Sequence, residues 1–177
     1  MTRLADLGSR ICILGPSNSG KSTLAAAIGD ALGLDVIHLD LLYHLPNTDW
    51  EPRPKEEFFA LHDAAILGER WVMDGNYSRL FPGRFARATG VILLDLPTST
   101  SLLRYFRRTL FQKDRIGALE GRKDSVKWAM IHHVAVATRA NRRRYAGLFR
   151  EIDLPKISLP SARAIDRFYR AENLRRA

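Results

Sequence analysis

The sequence predicts an α/β fold built on a parallel sheet, and three observations predict it. Short apolar runs rich in Val, Ile and Leu recur along the chain, as strands buried on both faces require. Stretches of helical period separate them. Strand and helix alternate from one end to the other, which closes into a parallel sheet through right-handed crossovers. The 177 residues suit one domain, 1–177, with a full core.

The elements follow in order. A first strand over Arg10–Leu14 carries Cys12, the only cysteine, which is expected to be a small buried core residue. A single cysteine excludes a disulfide within this chain and agrees with a cytoplasmic setting. The strand runs into a glycine-containing turn and then the alanine-rich helix Ser22–Leu32, which Gly33 ends as a C-cap. Val36–Asp40 is the second strand. Lys55–Gly68 reads as a helix with Phe58, Phe59, Leu61, His62, Ala65 and Ile66 near one face. Trp71–Asp74 is the third strand, and the Pro-Gly of Leu80–Phe85 is local punctuation. Val91–Leu96 is the fourth strand. Pro97-Thr98 then offers hydroxyl caps to a helix over Ser99–Phe111. Gln112–Lys123 is polar, has two glycines and weak periodicity, and reads as a mobile loop between helices. A long helix, Asp124–Arg150, places Trp128, Ile131, Ala135 and Thr138 on one stripe. Lys156–Leu159 is the fifth strand. Ser161–Arg175 closes the chain as a helix, with Ser161 as cap and Ile165 and Phe168 facing in.

The turn after the first strand is Gly15-Pro16-Ser17-Asn18-Ser19-Gly20-Lys21-Ser22, which fits G-x-x-x-x-G-K-[ST]. Glycines there let backbone amides point inward, ahead of a helix N-terminus that favours anionic oxygens. Gly15, Ser17, Asn18, Ser19, Gly20, Lys21, Ser22 and Thr23 are the expected nucleotide-binding residues. Lys21 would reach the β- and γ-phosphates of ATP, and the Ser22 hydroxyl would hold Mg²⁺. No N-K-x-D motif supports guanine recognition. Val91-Ile92-Leu93-Leu94-Asp95 looks like a Walker B run, but Leu96 follows it, not glutamate, which weakens an ATP-hydrolysing motor reading. A small kinase remains, and it needs a metal-positioning carboxylate, an acceptor site and positive charge around the transferring phosphoryl group.

Ligands of open α/β sheets sit beyond the carboxyl ends of the strands. Asp40 follows "VIHL" and Asp74 follows "WVM" there. One can accept or orient an acceptor hydroxyl and the other can hold metal-bound water. Asp40 for the acceptor, and Asp74 with Ser22 for the metal, is one assignment; the reverse is the other. Asp95 is either a partner of the phosphate turn or a turn residue. His38 reads as core, and His44, Tyr43 and Trp50 as residues able to shape an acceptor pocket. A phosphate-bearing acceptor would draw on Arg79, Arg84 and Arg87; a hydroxyl acceptor would use a base such as Asp40.

"GPSNSGKST", "VIHLDLLYHLPNTDWEPRPKEEF", "RWVMDGNYS" and "RFARATGVILLDLPTSTSLLRYFRRTL" together resemble the P-loop kinases of the adenylate/shikimate kinase type. Within them the sequence is most similar to the DNA topology modulation (FlaR-related), or adenylate kinase-like ATPase, group. The resemblance covers about the first 111 residues. It implies a three-layer P-loop NTPase α/β/α sandwich with sheet order 2-3-1-4-5. It also implies an acceptor region after the second strand, a helical basic lid after the fourth, and adenine near Ser161-Ala162-Arg163. Asp40 falls where shikimate-type kinases place a substrate-side or metal-side aspartate. Asp74-Gly75 falls on the Asp-Gly of the adenylate type. Where those kinases carry an arginine four residues after that aspartate, this chain has Ser78, with Arg79 next.

Between Arg104 and Arg144 twelve Lys/Arg face three acids, which accounts for the whole net charge of +9. Such a segment meets polyanions. In a kinase, lid arginines stabilise charge on the transferring phosphoryl group. Arg104, Arg108 and Arg115 are the first candidates, with Arg107, Arg139, Arg142 and Arg143 beside them. The rival reading is a nucleic-acid-associated NTPase or binding protein; a third is a regulatory nucleotide binder without efficient transfer. The segment has no clean apolar stripe for a membrane surface. His132 and His133 point about 100° apart on a helix and so do not chelate together.

Overall fold

The computed structural model describes residues 2–48, 50–97, 100 and 138–176, with side chains from 142 onward in the last stretch. Five strands form one parallel sheet of order β2-β3-β1-β4-β5: β1 Arg10–Leu14, β2 Asp35–His38, β3 Trp71–Asp74, β4 Gly90–Leu94 and β5 Lys156–Leu159. The helices are α1 Lys21–Leu32, α2 Leu39–Tyr43, α3 Lys55–Ile66, α4 Phe81–Arg87, α5 Thr138–Glu151 and α6 Ala162–Ala171. Single 3-10 turns at Leu4–Leu7 and Ser78–Leu80 complete the described elements. Among the described residues no helix is long and apolar enough to cross a membrane.

Alternation along the strands makes the three layers. Ile11 and Ile13 of β1, Val72 of β3, and Ile92 and Leu94 of β4 face a core shared with Leu24 and Ile28 of α1 and Ile165 and Phe168 of α6. Cys12, Leu14, Trp71, Met73, Val91 and Leu93 point the other way. They pack with Phe58 and Ile66 of α3, Phe81 of α4 and Tyr145 of α5. Period-2 side-chain direction therefore gives both faces an apolar lining, so helices must cover both. Gly33 ends α1 in the left-handed region at φ 61°, and the Ser161 hydroxyl caps α6 by accepting from the Ala164 amide at 3.1 Å.

Several expectations are corrected. The second strand stops at His38, and Leu39–Tyr43 turns into a helix, so Asp40 lies in a helical first turn and not at a strand end. Leu39 is fully buried beside Gly75, and that burial decides the change of period. The Pro-Gly of Leu80–Phe85 is not loop punctuation but the first turn of α4, where proline costs no hydrogen bond. Leu61 is 38% exposed, because α3 buries only the narrow Phe58, His62, Ile66 stripe. The helix at Ser99–Phe111, the loop at Gln112–Lys123 and the first half of the Asp124–Arg150 helix lie outside the described residues. So do Arg104, Arg107, Arg108, Arg115, Trp128, His132 and His133.

Cys12 is fully buried, and desolvation pushes its thiol up to about 12, the charge of Arg84 opposing. The thiolate is the reactive form, so the folded protein is expected to resist iodoacetamide at pH 8.5 and to alkylate at full rate in 8 M urea. The same shift costs stability in alkali. The unfolded thiol ionises first, so this contribution is whole below the ordinary cysteine pKa and fades as pH rises from there towards 12. Rapid alkylation of native protein would contradict this.

Candidate phosphate and acceptor site

β1 delivers the chain to the carboxyl edge of the sheet, and the turn Gly15–Gly20 carries it into α1. The turn needs unusual backbone: Gly15 has φ 147°, Asn18 φ 60° and Gly20 φ 96°. A Cβ on Gly15 would lie 2.5 Å from the Leu94 carbonyl, so only glycine fits there. Ser19 is fully buried, and its amide donates to the Pro16 carbonyl at 3.3 Å. Gly20 is the N-cap of α1, and no side chain caps that helix. The first-turn amides of α1 are thereby left to an anionic ligand. Ser17, Asn18, Ser22 and Thr23 are half-buried around this cradle.

Lys21 starts α1, and its ammonium donates to the Pro16 carbonyl at 2.8 Å. Burial pulls its pKa below the ordinary lysine value, while the carboxylates of Asp74 and, more weakly, Asp40 pull it up. The cation is thus bonded to the turn and feels the charge of two acids on neighbouring elements.

Asp74 is the buried acid, 4% exposed. It ends β3, paired on one side with Ile13 of β1 and on the other with His38 of β2. The His38 Nδ1 lies 2.9 Å from Asp74 Oδ1. His38 is therefore not the core residue expected, but the partner of a site carboxylate. Asp40 sits one strand further out, on α2, and is exposed. The Tyr77 hydroxyl donates to Asp40 Oδ1 at 2.8 Å. The different settings separate the two acids: Asp74 is the inner one, next to the cradle, and Asp40 the outer one, next to solvent.

Around Asp40 lies an aromatic wall. Tyr43 meets Phe58 at 5.1 Å and Tyr77 at 5.1 Å between ring centroids, and His44 meets Trp50 edge to face at 5.0 Å. A short antiparallel bridge between His44 and Pro52 folds this segment back, and Arg53 fastens it by donating to the Leu42 carbonyl at 3.0 Å.

The arginines near β3 divide. Arg84 is fully buried and donates to the Gly75 carbonyl at 2.9 Å and, more weakly, to the Tyr77 carbonyl at 3.5 Å. Arg87 donates to the Ile66 and Leu67 carbonyls and to Glu69. Arg79 is exposed. On the other side of the cradle, Asp95 follows β4 and accepts from Arg142 of α5 at 2.6 Å. That pair brings one arginine of the basic segment to the strand beside the phosphate turn. Lys21 lies within electrostatic reach of Asp74 and Asp40; Arg104, Arg108 and Arg115 lie outside the described residues.

No sequence pattern assigns Asn76 or Tyr77 a site role; His38 reads as core and pairs instead with Asp74, and Arg84 reads as a ligand for a phosphate-bearing acceptor and bonds instead to backbone carbonyls. Their partners are backbone or carboxylate groups far along the chain, which no local pattern signals. The one available sign is the Gly75-Asn76-Tyr77 turn itself.

Among the described residues no group of three or more His, Cys, Asp or Glu gathers to hold a metal ion alone. One carboxylate and one hydroxyl beside a phosphate cradle is still a suitable donor set for Mg²⁺. That ion prefers hard oxygens and keeps much of its water and phosphate shell.

No protein-family profile and no curated protein matches the chain. Solved structures do. A shikimate kinase from Acinetobacter baumannii, in complex with shikimate, has a TM-score of 0.55 and 15% identity over 94% of this chain and 92% of its own. An unliganded sugar kinase from Janibacter sp. HTCC2649 has a TM-score of 0.53 and 17% identity, covering 94% of this chain and 93% of its own. At such identities the likeness carries the fold alone: the P-loop NTPase α/β arrangement with strand order 2-3-1-4-5.

Proposed function

We propose that this protein transfers the γ-phosphoryl group of ATP, with Mg²⁺, to a hydroxyl of a small molecule. The observation that carries the reading is Lys21. It stands at the head of a helix that no side chain caps, under the influence of two carboxylates of contrasting burial. The first-turn amides and Lys21 would hold the β- and γ-phosphates. Ser22 and Asp74 would hold Mg²⁺, which when bound offsets charge on the phosphate oxygens. Asp40 would take the proton of the acceptor hydroxyl as the new O–P bond forms and the bond to ADP breaks; the proton then passes to water.

The hydroxyl acceptor is favoured over a phosphate-bearing one by where the arginines are. Arg84 and Arg87 spend their guanidinium groups on backbone carbonyls, which leaves exposed Arg79 as the remaining cation of that set. Within the kinase class, the motif stretches support kinship with the DNA topology modulation group. The single buried thiol supports a reducing, cytoplasmic setting.

A set of sugars, sugar acids, nucleosides and nucleoside monophosphates, each offered with Mg·ATP, tests the reading through ADP release. A hydroxyl compound lacking phosphate is expected to give the fastest turnover. Preference for a monophosphate would overturn the acceptor assignment, and absence of turnover with every compound would overturn the transferase.

A further inference from the structure

We propose that Tyr77 is a positioning residue that holds the Asp40 carboxylate in line with the phosphate cradle, an inference that rests on the transferase reading above. An exposed aspartate on a five-residue helix has several rotamers open to it. The Tyr77 hydroxyl removes that freedom by donating to Oδ1 at 2.8 Å, which leaves Oδ2 for an acceptor hydroxyl.

Tyr77 can do this because it is itself held from three directions. Its ring packs against Phe58 at 4.9 Å and Tyr43 at 5.1 Å. Arg84, anchored in the core, donates to the carbonyls of Gly75 and Tyr77 on either side of Asn76. Asn76 grips Gly15 twice: its Nδ2 donates to the Gly15 carbonyl at 2.5 Å, and its Oδ1 accepts from the Gly15 amide at 3.3 Å. The three residues Gly75-Asn76-Tyr77 are therefore a strap. Its middle residue is bonded to the first glycine of the phosphate turn and its last to the acceptor-side acid. Gly75 lets the strap lie down at φ 127°, 2.7 Å from Leu39 Cβ by the position of an added Cβ, and so tight against the helix that carries Asp40. The distance between donor and acceptor halves is set by this short covalent path, not by two independently packed loops. Burial and the neighbouring carboxylate push the Tyr77 phenol well above its ordinary pKa, so it remains a donor across the working range.

Tyr77→Phe removes the hydroxyl and keeps the ring. Rates are read as ADP release from Mg·ATP with the mixed sugar, sugar-acid and nucleoside set. The expected result is a fall in kcat of about tenfold, the scale of one hydrogen bond to a charged group, with the KM for ATP within about twofold. Because the effect runs through Asp40, Tyr77→Phe is expected to cost nothing further in an Asp40→Asn background. Three results would overturn the proposal: unchanged kcat in Tyr77→Phe, a change confined to the ATP KM, or the same loss in both backgrounds. Wild-type protein without turnover would instead remove the transferase reading, and this inference with it. A urea midpoint for Tyr77→Phe matching wild type separates positioning from a general loss of fold.

Discussion

Lys21→Met is expected to lower phosphoryl transfer by about a thousandfold while leaving the fold intact. The side chain supplies the one ammonium in the described cradle, in a partly desolvated place where a charge acts strongly on developing negative charge. Methionine keeps the apolar stem and discards the charge. The effect on stability has the opposite sign. Folding pulls the lysine pKa down because burial outweighs the help of Asp74 and Asp40, so the protonated lysine costs the folded state something. Lys21→Met is therefore expected to melt no lower than wild type without nucleotide, and to lose the upward shift in melting that Mg·ATP gives. Transfer within tenfold of wild type would remove Lys21 from the mechanism. Loss of fold would show that the lysine is structural.

Arg84→Ala is expected to lose about 3–5 kcal/mol of stability, and to lose it in the fold before it shows in catalysis. The guanidinium is wholly buried beneath the strap, bonds two carbonyls, and lies 4.9 Å from the centre of the Phe81 ring. Alanine leaves a cavity and returns the Gly75 and Tyr77 carbonyls to an apolar setting without a donor. Lysine does not replace it, because one ammonium on a flexible stem does not present a planar fork to two acceptors. Urea unfolding followed by tryptophan emission reads the change. A loss under about 1 kcal/mol would mean that the strap is held by Asn76 and Tyr77 alone.

The parts of this fold that were readable in the chain share one property: their cause is local. β1, β3 and β5 run over the residues predicted for them, because a strand's apolar side chains, continuous in β1 and β3 and alternating in β5, show in the local pattern. The Gly15–Gly20 turn is readable because backbone that must turn through positive φ writes itself as glycine at fixed spacing. Gly33 and Ser161 mark helix ends for the same reason. Leu39–Tyr43 was not readable, since "VIHLDLLY" suits a strand continued to Asp40 as well as a helix, and burial of Leu39 against Gly75 chose between them. Phe81–Arg87 was masked by its own Pro-Gly, and only its packing on Ile66 and Tyr145 makes it a helix.

The chain by itself determined the sheet, the cradle and the presence of two acids near it. Tertiary structure decided how deep each acid lies and what it is bonded to. Asp74 lies inside because β3 is flanked by β1 and β2, which sets His38 against it. Asp40 lies outside because α2 turns away from the sheet edge, where a tyrosine 37 positions along the chain reaches it. A carboxylate's role follows from its burial and its partner, and both come from residues brought close only by the crossovers of the sheet.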